Sequence, residues 1–79
     1  MITIRKARPQ EGIENVGNKT YAVRWEGGNV VETYGEVIAS YPPREKKLAE
    51  FHAARGESLE VFTLFNGHCY VIDKSKQPG

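Results

Sequence analysis

The stretch that decides the fold is Leu59-Glu60-Val61-Phe62-Thr63-Leu64-Phe65, then Asn66-Gly67, then His68-Cys69-Tyr70-Val71-Ile72-Asp73-Lys74. Two runs rich in β-branched and aromatic residues flank Asn-Gly, the dipeptide favoured in type I′ hairpins because both central residues need φ > 0. A two-residue turn there predicts a register: Phe65 opposite His68, Leu64 opposite Cys69, Thr63 opposite Tyr70, Phe62 opposite Val71 and Val61 opposite Ile72. In that register both faces are apolar. One carries Phe62, Leu64, Cys69 and Val71, and the other Leu59, Val61, Phe65, Tyr70 and Ile72. A sheet face left to water shows polar residues, so both faces need cover.

Upstream, Ser40-Tyr41-Pro42-Pro43-Arg44-Glu45 reads as a strand stop and a helix start, with proline in the first turn and Ser40 as the cap. Residues 43–55 are rich in good helix formers, and Gly56 is placed to end the helix in the left-handed conformation. The helix is expected to pack on one sheet face through Leu48 and Phe51. At about 13 residues it spans about 20 Å, enough for one face. Three covers remain for the second face: residues 9–19, a curl of the sheet into a barrel, or a second molecule, either a copy of the chain in a homodimer or another partner.

Tyr21, Val23 and Trp25 alternate with Ala22, Arg24 and Glu26, and Gly27-Gly28 then suits a tight turn into an extended run from Asn29 to Ala39. This predicts Trp25 opposite Val30, Val23 opposite Glu32 and Tyr21 opposite Tyr34, with a bulge at Gly35 switching the phase. Residues 9–19 hold Pro9, Gly12 and Gly17 and read as a long loop. Ile2 and Ile4 alternate with Thr3 and Arg5 as a first strand. The element order β-β-β-α-β-β is that of a small two-layer α+β domain, a five-stranded antiparallel or mixed sheet with one helix on a face. The topology is either β-grasp-like or a small curled barrel carrying the helix as an insert. Residues 1–74 form one domain and 75–79 a flexible tail.

The 79 residues carry 11 Lys+Arg and 10 Asp+Glu, a formal +1. That balance excludes a strongly basic nucleic-acid wrapper and an acidic tail or nucleic-acid mimic. Along the chain the charge is uneven. Residues 1–8 hold Arg5, Lys6 and Arg8 and no acid, residues 9–73 hold six bases against ten acids, and residues 74–79 hold Lys74 and Lys76. No apolar run reaches the 18 residues or so of a membrane helix, and no secretory h-region is seen. The single cysteine, Cys69, excludes an internal disulfide and points to a reducing, cytoplasmic setting.

Catalytic and metal chemistries find little support. His68 and Cys69 are neighbours, but adjacent strand residues face opposite ways. Cys69 is expected to be a small buried hydrophobe. His52 near the helix end complements the helix dipole. Ser40, Ser58 and Ser75 are expected to lack a nearby base, and none lies in a Gly-x-Ser-x-Gly elbow; there is neither a metal-ligand motif nor a phosphate-binding loop. No catalytic residue, metal or cofactor is expected. The expectation is a non-enzymatic protein-binding module. Its size suits a phage- or mobile-element-type inhibitor or regulator, the class that includes anti-CRISPR proteins, acting by blocking a partner surface. The expected contact residues are Glu26, Glu32 and Glu36, whose charge complements a basic groove on a nucleic-acid-handling protein, together with Tyr34, Phe65, His68 and Tyr70. The alternative is a nucleic-acid-binding sheet that stacks bases on Tyr21, Trp25, Tyr34 and Tyr70 and meets phosphate with Arg5, Lys6, Arg8 and Arg24.

Overall fold

The hairpin around Asn66-Gly67 forms one residue out of the predicted register. The computed structural model, which describes residues 4–78, pairs Thr63 with Cys69, Phe62 with Tyr70, Val61 with Val71, Glu60 with Ile72 and Leu59 with Asp73. The cause is a three-residue loop, Phe65-Asn66-Gly67. The Gly67 N–H donates to the Leu64 carbonyl at 2.8 Å, and the Leu64 N–H donates to the His68 carbonyl at 2.9 Å. Within the loop Gly67 alone is left-handed, at φ 93°. A type I turn followed by one left-handed residue gives this three-residue hairpin, whereas type I′ needs two left-handed residues. The slip turns the whole second strand over. Cys69 and Val71 now share a face with Leu59 and Val61, and Tyr70 and Ile72 share one with Phe62 and Leu64.

In chain order the strands are β1 (Ile4–Lys6), β2 (Glu11–Val16), β3 (Lys19–Glu26), β4 (Asn29–Tyr41), β5 (Leu59–Thr63) and β6 (Cys69–Asp73). A 3-10 turn (Pro43–Glu45) and helix α1 (Lys46–Ala53) join β4 to β5. The sheet order is β1-β5-β6-β4-β3-β2, with β1 parallel to β5 and every other pair antiparallel. The domain is α+β with a mixed sheet, and it has six strands where five were expected. The added strand is β2, in the segment expected to be a loop. It pairs Glu11–Val16 with Lys19–Arg24 across a two-residue Gly17-Asn18 turn. Its two glutamates and its asparagine suit an edge strand. The Ile2 and Thr3 part of the predicted first strand lies outside the described residues.

Strand β4 is 13 residues long and serves both halves of the sheet. Its turn at Gly27-Gly28 is two residues, both left-handed, and Trp25 pairs with Val30 as predicted. Beyond that the register departs. Arg24 pairs with Glu32, Val23 with Thr33, Ala22 with Gly35 and Tyr21 with Glu36, so Val31 and Tyr34 are bulged residues. A third bulge, at Ile38, interrupts the pairing with β6. Each bulge bends and twists its strand, and three in one strand curl the sheet. The bulge expected at Gly35 lies one residue before it, at Tyr34. A Cβ on Gly35 would lie 2.6 Å from the Asp73 carbonyl oxygen, so glycine is what allows β4 to cross the end of β6.

Curling covers the second face from within. Ala22, Phe62 and Ile72 are fully buried there, ringed by Ala7, Ile13, Tyr34, Val37, Leu64 and Tyr70. The segment expected as a loop and the expected curl therefore act together, and the face that motivated a second copy of the chain is closed.

Helix α1 covers the other face, though not as predicted. Ala49 and Ala53, one turn apart, are buried against Val61, Cys69 and Val71. Leu48 and Phe51 stand outward, 51% and 69% exposed. Alanine at the contact lets the helix backbone approach the sheet closely. The α-helix is also shorter than residues 43–55. Ser40 does not cap it but belongs to β4, and Gly56 is not left-handed. Beyond β6 the chain is tied to β4, with the Lys76 carbonyl accepting from the Glu36 N–H at 3.1 Å and the Thr33 hydroxyl donating to the Gln77 side chain.

Candidate functional site

The curled face is held by a polar cluster at its rim. Glu11, at the start of β2, is almost fully out of solvent (3%) and accepts from Arg5 Nη2 at 2.7 Å, from the Tyr34 hydroxyl at 2.6 Å and from the Arg8 N–H at 2.9 Å. The Arg5 guanidinium lies 4.0 Å from the Tyr34 ring centroid, and that ring stacks on Phe62 at 6.3 Å. Burial pushes the Glu11 carboxyl up, but the Tyr34 hydroxyl, the Arg8 N–H and Arg5 outweigh it and hold the group below its ordinary range. Burial followed by the Glu11 carboxylate raises the Tyr34 hydroxyl. This cluster ties β1 and β2, the two edges of the sheet, to β4.

The structure brings several predicted site residues together, with one another or with other side chains. Arg24 is paired with Glu26, and with Glu32 at 3.2 Å; these two carboxylates raise its pKa. Glu36 lies 3.7 Å from Lys19. Tyr34 is held by Glu11 and Arg5. The His68 ring lies 4.8 Å from that of Tyr70, and Phe65, at the loop tip, is 99% exposed. Lys6 and Arg8 border a depression of about 660 Å³ with Ile4, Pro9 and Glu60. The C-terminal Lys74 reaches the same Glu60 at 3.9 Å, so an acid stands among the basic ends.

One expectation about nucleophiles is corrected. Ser40 does have a base: its hydroxyl oxygen is 2.7 Å from His68 Nε2, across the β4–β6 pair. Among the described residues no carboxylate hydrogen-bonds the other ring nitrogen, so the group that would orient a general base is missing. Cys69 is buried on the helix face, with its thiol 3.4 Å from the Gly67 carbonyl. No cluster of three or more metal-ligating side chains occurs among the described residues, nor does a helix long and apolar enough to cross a membrane.

The feature that the sequence reading missed is the outer side of α1. Leu48, Phe51, His52 and Arg55 follow the i, i+3, i+4, i+7 spacing of one helical stripe. With Tyr41 from the end of β4 they line a shallow groove of about 340 Å³. Its floor is fixed, because His52 Nδ1 lies 3.1 Å from the Tyr41 hydroxyl and the two rings meet edge to face at 6.2 Å. The spacing was legible in the sequence. What hid it was the assumption that the larger apolar side chains face the core.

Comparison of the chain with protein-family models, with curated proteins and with solved structures finds no match.

Proposed function

We propose that this chain is a protein-binding module, a small regulator that acts by occupying a partner's surface, and that the outer side of α1 makes the contact. The observation that carries this reading is the exposure of Leu48 and Phe51, one turn apart on the helix and beside a groove with a fixed floor. Lysine, glutamate or glutamine would sustain the helix as well, so two large apolar side chains facing water are not explained by helix formation. Full burial of such a side chain contributes about 1.5–3 kcal/mol, and the half-buried Leu48 and more exposed Phe51 retain part of that for a partner. The other exposed large apolar residues sit at a strand end (Ile4), at two bulges (Val31 and Ile38) and at a loop tip (Phe65). The β3–β4 hairpin supports a contact less well, because Glu26, Glu32 and Glu36 have basic neighbours within the sheet.

Nucleic-acid binding draws support from the depression beside Lys6 and Arg8. It draws none from three of the four strand aromatics. Tyr21 is buried, the Trp25 indole lies over Gly12 and donates to Glu14, and the Tyr34 ring is engaged by both Arg5 and Phe62. An affinity capture with quantitative mass spectrometry tests the protein-binding reading, using the native chain, L48S/F51S and E26Q/E32Q. Enrichment of a partner should fall more than tenfold for L48S/F51S and persist for E26Q/E32Q. The opposite pattern would move the contact to the hairpin.

A further inference from the structure

The charges around α1 indicate what kind of partner the groove takes. Of the cations on or beside the sheet, Arg5, Lys19, Arg24 and Lys74 each lie within 4 Å of a glutamate, while Lys6, Arg8 and Lys76 have no such partner among the described residues. On and beside α1, Arg44, Lys46, Lys47 and Arg55 are exposed, and among the described residues none has a carboxylate within that distance. Glu45 and Glu50 are the acids of the same segment, which leaves residues 44–55 with a local excess of two positive charges. The apolar pair is thus bordered by cations, and Arg55 itself lines the groove.

We infer that the groove between α1 and the end of β4 receives an acidic amphipathic segment of another protein, whose apolar side chains meet Leu48 and Phe51 and whose carboxylates meet Arg55 and the α1 lysines. This rests on the reading of α1 as the contact surface. A second copy of the chain is the weaker occupant, because it would bring two cationic helices together. Two apolar anchors also fall short of the roughly 800 Å² per partner of a stable interface, whereas a short segment needs only a groove.

The test is titration of the isotope-labelled full chain, followed by amide and side-chain NMR shifts. Three synthetic 15-residue probes are used: an amphipathic helix with Leu and Phe anchors and Glu on its polar side, the same peptide with Lys for Glu, and the Glu peptide with Ser for its anchors. The Glu peptide should shift Leu48, Phe51, His52 and Arg55, with an affinity that weakens as salt rises. The Lys and Ser peptides should bind at least tenfold more weakly. R55E/K47E should lose the Glu peptide and gain the Lys peptide. L48S/F51S should lose both, its spectrum elsewhere unchanged.

Equal binding of the Glu and Lys peptides at α1 would overturn the acidic assignment and leave α1 as the contact surface. Shifts confined to Ile4–Arg8, or no shift at all, would overturn both. Concentration-dependent shifts at Leu48 and Phe51 without peptide would make a second copy the occupant, against this inference.

Discussion

The two faces of the sheet are covered in contrasting ways. On the curled face, large side chains point inward and the buried carboxylate at the rim is matched: Phe62 and Ile72 are fully buried and Glu11 takes three hydrogen bonds. On the helix face the contact is made by alanines, and the large side chains of α1 point to water. The first arrangement is what stability asks of a small domain. The second leaves apolar area and cationic charge outside, which folding does not need and binding can use.

The comparison breaks most visibly at its phenylalanines. Phe62→Ala should cost about 3–5 kcal/mol, as removal of a fully buried ring does. That is a large part of the roughly 5–15 kcal/mol available to a domain. Urea denaturation followed by circular dichroism reads the loss. A Phe62→Ala protein as stable as the native chain would mean that the curled face is not the core.

Next comes the crossing at Gly35. Gly35→Ala places a methyl carbon 2.6 Å from the Asp73 carbonyl oxygen, which is backbone and has little room to yield. A loss of about 1–3 kcal/mol in the same assay is expected from such overpacking.

Glu11→Gln sharpens the electrostatic half of the comparison. Hydrogen bonds to a buried charge contribute about 1.5–3 kcal/mol, and part-exposure of Arg5 brings the expected loss to about 1–2 kcal/mol. The pH dependence carries the sign. Because the folded state holds the Glu11 carboxyl below its ordinary value, its contribution is present above the ordinary glutamate range and is lost as pH falls through the folded value. Tyr34 runs the other way. Its raised hydroxyl contributes below the ordinary tyrosine value, near 10, and that contribution is lost at higher pH. Stability measured from pH 3 to 7 should therefore be flatter in Glu11→Gln than in the native chain. Parallel curves would remove Glu11 from the account.

The smallest effect is expected on α1. Leu48→Ser and Phe51→Ser should each change stability by no more than about 0.5 kcal/mol, as exposed substitutions do. A loss as large as that of Phe62→Ala would show that both side chains belong to the core.

Much of this molecule was legible in its residues. The runs around Asn66-Gly67 and Gly27-Gly28 placed two hairpins, and Pro42-Pro43 placed the helix entry. The segment 9–19 was misread because Pro9, Gly12 and Gly17 look like loop punctuation. Gly17-Asn18 is itself a hairpin turn, and Gly12 sits in a strand where the Trp25 ring approaches within 2.7 Å of where a Cβ would be. Of the candidate contact surface, the stripe Leu48–Phe51–His52–Arg55 was visible as spacing but not as exposure. Of the expected contact residues, Glu26, Glu32, Glu36 and Arg24 were visible as charges but not as partners of one another or of Lys19.

By itself, then, the sequence determined the helix, five of the six strands and the places of the Gly27-Gly28 and Asn66-Gly67 hairpins, because these rest on interactions within a few residues. Tertiary structure decided three things that local pattern leaves open. The loop at Phe65–Gly67 set which face Cys69 and Tyr70 occupy, since a one-residue slip inverts a strand of period two. Close approach to the sheet selected Ala49 and Ala53 over Leu48 and Phe51, because the methyl side chain holds the two backbones least apart. The curl of β4 brought Arg5, Glu11 and Tyr34 together from three strands, a meeting of residues far apart in the chain that accompanies bulges at Val31, Tyr34 and Ile38.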